Sequence, residues 1–271
     1  MVRATRLFTL LMALWATMVS AQSEPEVYFT DPPDGAVVTG EPSVKVTGRA
    51  RSAEPEPMSF DVMIVMDTSG STRNFSGLRS RGTFELFQGA GSSILDAEVG
   101  AVNQFLGVLD RRTTRIGIIT FAGAHQTFSG FAVPGSINAW VEQPLTSDYE
   151  AVRRVLLHIM RRGSNGGTDM AAGLRLAIRE LLSLQGAVSR PHPGARKVAL
   201  LLTDGFPTLP FGSVNDMDPQ DEDATINAAR VAATGGILIH TFCLGPEALS
   251  RPRACTEAAR VTGGLPTPVR T

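Results

Sequence analysis

The stretch that most constrains the fold is residues 62–66, VMIVM, an unbroken apolar run that stops at Asp67. A run of this length reads as a strand buried on both faces, at the centre of a parallel sheet. Two hydroxyls follow the carboxylate at alternate positions, Ser69 and Ser71, with Gly70 between them to permit a tight turn. One buried strand therefore delivers three hard oxygen donors to one loop at its C-terminal end. In open α/β sheets, that end is where ligands bind.

Two further loops carry matching donors. Gly167-Thr168-Asp169 follows the glycine-rich turn 163–167, and Leu202-Thr203-Asp204-Gly205 follows a second buried run at 198–202. The first loop alone would serve equally well as a turn with a helix cap. Three such loops, in order and at element boundaries, resemble the metal-ion-dependent adhesion site of a von Willebrand factor type A domain. The resemblance spans roughly residues 58–265. It implies a doubly wound, mostly parallel α/β sheet flanked by helices, in which the strands ending at Asp67 and Asp204 are neighbours at the switch point. It also implies direct coordination of a cation by Ser69, Ser71 and Thr168, with Asp67 and Asp204 acting largely through waters and hydrogen bonds. Three hydroxyls and two carboxylates suit Mg2+, Mn2+ or Ca2+ and disfavour zinc or copper. Mostly neutral ligands leave the cation's charge poorly quenched. The implied partner is a protein presenting a carboxylate to the open position.

With 271 residues, the chain is long enough for one sizeable domain and an appendage. A formal net charge of −1 provides no basic field for nucleic acid. Lysine occurs only at Lys45 and Lys197, the other cations being arginines, which reads as the coding bias of a GC-rich bacterium. Residues 1–21 read as a secretory signal: Arg3 and Arg6 precede the mostly apolar stretch 7–19, and Val19-Ser20-Ala21 precedes a cut before Gln22. An uncleaved N-terminal anchor is the alternative. No later stretch is long and apolar enough to span a bilayer. Export places the two cysteines, Cys243 and Cys255, in an oxidising compartment, where they form either a disulfide or two buried thiols.

Residues 22–57 read as a small β segment. Val27-Tyr28-Phe29 and Val44-Lys45-Val46 alternate like half-buried strands around the Pro-Pro-Asp-Gly turn, resembling the opening of a bacterial immunoglobulin-like module. Residues 53–57 follow as a stiff linker. Within 58–271, an insertion at 73–93 carries Arg73, Arg79 and Arg81 among apolar residues. It is either a partner-reading rim or a satellite packed on the domain. Leu95, Val99, Val102, Leu106 and Leu109 stripe a helix, with Asp96, Asn103 and Asp110 opposite. Strands are expected at 116–121 and 237–242, and an edge strand at 126–133. Helices are expected along Val152–Ile159, along Met170–Leu181 and at 253–262. The acidic run 215–223 reads as a solvated loop capping a helix from Ala224, since Pro219 interrupts it and an EF-hand glycine is absent. The short ending suggests either a truncated domain or an edge completed by a partner strand.

Catalytic signatures are missing: there is no G-x-S-x-G, H-E-x-x-H or P-loop. His158 reads as a core or boundary residue. Asp169 is the cheap candidate base for metal-assisted hydrolysis. The sequence therefore points to an exported, divalent-metal-dependent binding module and not an enzyme. The alternatives are an envelope assembly factor that leaves the metal site unused and, less favoured, a hydrolase.

Overall fold

The computed structural model describes residues 26–31, 47–51, 58–76, 93–123, 138–213, 216 and 218–269. Two strands, β1 (Glu26–Asp31) and β2 (Thr47–Arg51), pair antiparallel as a hairpin in a unit ending at Met58. Residues 44–46, expected as the returning strand, lie outside the described residues. The described returning strand covers 47–51.

From Ser59 onward the chain forms a separate compact unit around a six-stranded sheet. Its strands are β3 (Phe60–Asp67), β4 (Thr114–Phe121), β5 (Ala139–Thr146), β6 (Arg196–Thr203), β7 (Ile237–Leu244) and β8 (Pro266–Val269). They lie in the order β5-β4-β3-β6-β7-β8, all parallel except the edge strand β5. Every residue of β3 is buried, as an apolar run with helices on both sides requires. The doubly wound α/β expectation is met.

Parallel register sends paired residues to the same face. Met63, Val65, Ala199, Leu201 and Ile239 face a core closed by α3 (Met170–Leu181), α4 (Pro219–Thr234) and, after the short α5 (Gly245–Ser250), α6 (Arg253–Arg260). Ile64, Leu200, Leu202, Phe242 and Leu244 face the other way, toward α1 (Ile94–Leu106) across a cavity of about 20 Å3. Also on that side, α2 (Tyr149–Arg162) buries Val152, Leu156 and Ile159, and Tyr149 donates its hydroxyl hydrogen to the Thr114 carbonyl at 3.0 Å.

Several expectations need correction. An edge strand that was not expected lies at 139–146; the expected one at 126–133 falls outside the described residues. α4 starts at Pro219 instead of Ala224, because Asp218 caps it and Asp221, three residues on, reciprocates to the Asp218 N–H. Residues 219–223 of the acidic run thus open a helix. β8 extends the sheet beyond the last helix, where no strand was expected. His158 is exposed on α2, whereas His240 is buried. Cys243 and Cys255 are joined in a disulfide, with Cα atoms 6.5 Å apart and 12 residues of separation. A loop of that size contributes roughly 3 kcal/mol in the chain-entropy picture.

Candidate metal centre

β3 and β6 are adjacent, and Met66 is in register with Leu202. Both strands therefore stop at the same level, Asp67 opposite Thr203, and Asp204 follows one residue on at the C-terminal edge. Asp67 is fully buried. Its Oδ1 accepts the Ser69 N–H at 2.8 Å, and its Oδ2 accepts the Thr203 hydroxyl at 2.7 Å. The first hydrogen bond folds the Asp-x-Ser turn back on itself. The second ties the two strand ends together.

Ser69 Oγ and Ser71 Oγ lie 3.1 Å apart, and Ser71 Oγ donates to Asp204 Oδ1 at 2.7 Å. The 3-10 turn Gly70–Arg73 sets this spacing. Thr72 Oγ1 lies 2.6 Å from Ser164 Oγ, locking the first loop to the second.

The second loop is seated by backbone contacts. The Gly70 N–H donates to the Gly166 carbonyl at 2.9 Å, and the Asn165 N–H to the Thr68 carbonyl at 2.9 Å. Gly166 has φ +83°, and a Cβ there would stand 2.5 Å from the Gly123 carbonyl oxygen. Only glycine supplies both the conformation and the clearance. Thr168 follows; its N–H donates to Thr208 Oγ1 at 3.0 Å, and its carbonyl accepts the Thr208 N–H at 2.9 Å. The second and third loops are thereby joined.

Gly205 measures the convergence. A Cβ placed there would lie 3.7 Å from Ser71 Oγ and 3.9 Å from Thr168 Oγ1. Ser71, Thr168 and Asp204 thus border one small space, with Ser69 and Asp67 directly behind. All five residues singled out from the sequence come together.

The electrostatics fit a hard cation. Asp67 is pushed up to about 6, by burial above all, against the hydrogen bonds from Ser69 and Thr203. Asp204 is pushed up to about 8, by burial first and then by the Asp67 charge. Two carboxylates share a buried corner with hydroxyls and backbone N–H groups as their hydrogen-bond partners. Among the described residues, no three His, Cys, Asp or Glu side chains form a ligand cluster. The donor set is instead dominated by hydroxyls, and Mg2+ or Mn2+ suits such an all-oxygen set with room for waters.

Asp169 does not join the site. It caps α3 by accepting the Ala172 N–H at 2.9 Å and takes the Asn138 side-chain amide at 2.8 Å. The candidate base of a hydrolase is thus engaged as a helix cap. Arg79 and Arg81 lie outside the described residues.

Residues 62–206 match the family model of the von Willebrand factor type A domain. The chain belongs to that family. The type A fold is also shared with solved structures at low identity. An aerotolerance-related membrane protein of Bacteroides fragilis matches at 19% identity and a TM-score of 0.53, over 79% of this chain and 92% of that one. The PilB minor pilin of Streptococcus sanguinis matches at 15% and 0.55, over 93% and 75%. The SpaC pilus adhesin of Lactobacillus rhamnosus matches at 17% and 0.51, over 77% and 28%. No curated protein matches the chain.

One buried acid was missed in the sequence. Glu98 on α1 is fully buried, and its carboxyl is pushed well above the ordinary range by burial, then by Asp67 and Asp204. The signal was available: Glu98 falls three residues after Leu95 and four before Val102, on the apolar stripe of α1.

Proposed function

We propose that this type A domain is an exported protein-binding module. Ser69, Ser71 and Thr168 would hold a divalent cation, with Asp67 and Asp204 behind them. The cation would supply a Lewis-acidic anchor for a carboxylate on a partner protein. The observation that carries this reading is the corner where Asp67 and Asp204 are buried together with only neutral donors satisfying them. Burying two like charges in this way is costly unless a cation joins them.

Phe75 and Phe211 leave the first and third loops and are 68% and 57% exposed. Exposed aromatics beside a polar anchor suit a protein contact. We assign them to the rim that reads apolar residues flanking the partner's carboxylate. The signal-like N-terminus and the Cys243–Cys255 disulfide support placement in the cell envelope or outside it. The pilin and adhesin likenesses are in keeping with a surface role.

The test is affinity capture from envelope extract with Mg2+ present. The reading expects a partner that is released by chelator, is absent with Asp67→Asn, and is weakened by joint Phe75→Ala and Phe211→Ala replacement. A partner held equally well in chelator would overturn metal-dependent docking.

A further inference from the structure

Buried acids elsewhere in this domain are answered by donors. Asp61 accepts Arg115 Nε at 2.9 Å, Arg115 Nη2 at 3.0 Å and the His192 N–H at 2.6 Å. Glu180 accepts the N–H groups of Val188 and Ser189, at 3.1 and 2.7 Å. Asp221 accepts those of Phe211, Gly212 and Asp218, at 2.7, 3.1 and 3.0 Å. Among the described residues Glu98 is the exception: it has 0% exposure, and neither carboxyl oxygen has a hydrogen-bond partner there. An unanswered buried carboxyl is among the most expensive groups a fold can carry.

Its position gives the reason. The N–H of Ile94, at the start of α1, donates to the Asn74 carbonyl at 2.9 Å, and the Asn74 N–H donates to the Ser71 carbonyl at 2.8 Å. α1 is thus fastened to the first metal-type loop, and Glu98 sits just over a turn into the helix. Glu98 lines the cavity of about 20 Å3 on this face together with apolar residues, including Ile64, Val102, Leu202 and Leu244. The charged groups that act on it are Asp67 and Asp204, both of its own sign. In the cation-free protein each of these interactions is repulsive. A positive charge placed among Ser69, Ser71, Thr168 and Asp204 would reverse the balance.

We propose that Glu98 is a positioning residue of the cation site, adding a third acidic group behind Asp67 and Asp204 and biasing the site toward cations of high charge. It acts through the field without ligating the ion, in keeping with the absence of a three-carboxylate ligand cluster among the described residues. Outer groups hydrogen-bonded to the ligands are worth roughly tenfold to a hundredfold in metal affinity, and a group acting through the field alone belongs at the low end. Burial favours the protonated carboxyl in the cation-free protein, and a nearby cation favours the ionised form, so the charge acts once the cation is bound. The inference rests on the proposed cation site.

The experiment is calorimetric titration of Mn2+ and Tb3+ into wild type, Glu98→Gln, Glu98→Asp and Asp67→Asn, with thermal unfolding in chelator. Glu98→Gln is expected to lose about tenfold in Mn2+ affinity and about thirtyfold for Tb3+. Its cation-free midpoint should equal or exceed that of wild type. Glu98→Asp keeps the charge and should hold the Tb3+-to-Mn2+ affinity ratio near the wild-type value, which also covers a Glu98→Gln chain that does not fold. Equal loss for both ions with a lowered cation-free midpoint would mean a packing role and overturn the proposal. So would unchanged affinities in Glu98→Gln, or a changed ratio in Glu98→Asp. If Asp67→Asn loses binding while Glu98→Gln does not, the cation site stands and only the role of Glu98 falls. If wild type binds neither ion, both readings fall.

Discussion

The central strand β3 carries a buried aspartate near each end, and the two are treated in opposite ways. Near the N-terminal end, Asp61 is gripped by both arms of the Arg115 guanidinium and by the His192 amide. At the C-terminal end, Asp67 receives only a hydroxyl and an amide N–H, with Asp204 beside it. One end of the sheet uses its carboxylate to hold the fold together. At the other, the donors found among the described residues are uncharged, and no Lys, Arg or His pairs with either carboxyl. Two aspartates of the same strand, six residues apart, thus differ in whether a described side chain supplies a counter-cation.

The contrast is broken most directly by exchanging consequences. Asp61→Ala should cost about 3 kcal/mol of stability, because Arg115 then loses its buried counter-charge. Denaturant unfolding measures the loss, and cation affinity in the folded protein should be unchanged. If Asp61→Ala were instead to weaken cation binding while leaving stability intact, the division between the two ends would be wrong.

A second prediction concerns the face of the sheet opposite α3, α4 and α6. His240 is buried, its Nδ1 accepts the Leu265 N–H at 3.1 Å, and burial lowers its pKa to about 4. Above pH 6.5 the ring is neutral in both folded and unfolded chains, so it imposes no penalty. Between pH 6.5 and 4 the unfolded chain takes up a proton that the folded one refuses. Stability should therefore fall as pH drops through that window, by on the order of 3 kcal/mol from this residue. His240→Gln should flatten the acid limb of the stability curve; an identical limb in the variant would show that other groups govern it.

The smallest effect should come from Gly205→Ala. The added methyl would meet nothing closer than Ser71 Oγ at 3.7 Å. Ordinary van der Waals contact predicts a folded protein with Mn2+ affinity within about threefold of wild type. A large loss would mean that the cation sits closer to Gly205 than the hydroxyl positions indicate.

Much of this was legible in the chain. The run at 62–66 announced the central strand, and Asp67, Ser69, Ser71 and Asp204 stood out because each closes or follows a buried run, while Thr168 follows the glycine-rich turn 163–167. What was hidden had specific causes. β5 contains Pro144, and β8 contains Pro266 and Pro268, which ordinarily argue against strands. Both are edge strands, where a missing N–H is tolerated. The start of α4 was obscured because its capping box is built from the acids of a run that resembles a solvated loop. Glu98 was hidden among the apolar residues of α1, since its importance depends on what it lacks in three dimensions. The pairing of Cys243 with Cys255 depended on a Cα separation that no spacing rule supplies.

The account turns on whether the corner formed by Asp67, Ser69, Ser71, Thr168 and Asp204 takes up a divalent cation. Calorimetric titration of Mn2+ into the wild-type chain and into Asp67→Asn tests this most directly. A single saturable site in wild type, weakened about a hundredfold in Asp67→Asn, is the predicted result. Absence of binding in wild type, or equal affinity in the two proteins, would contradict it.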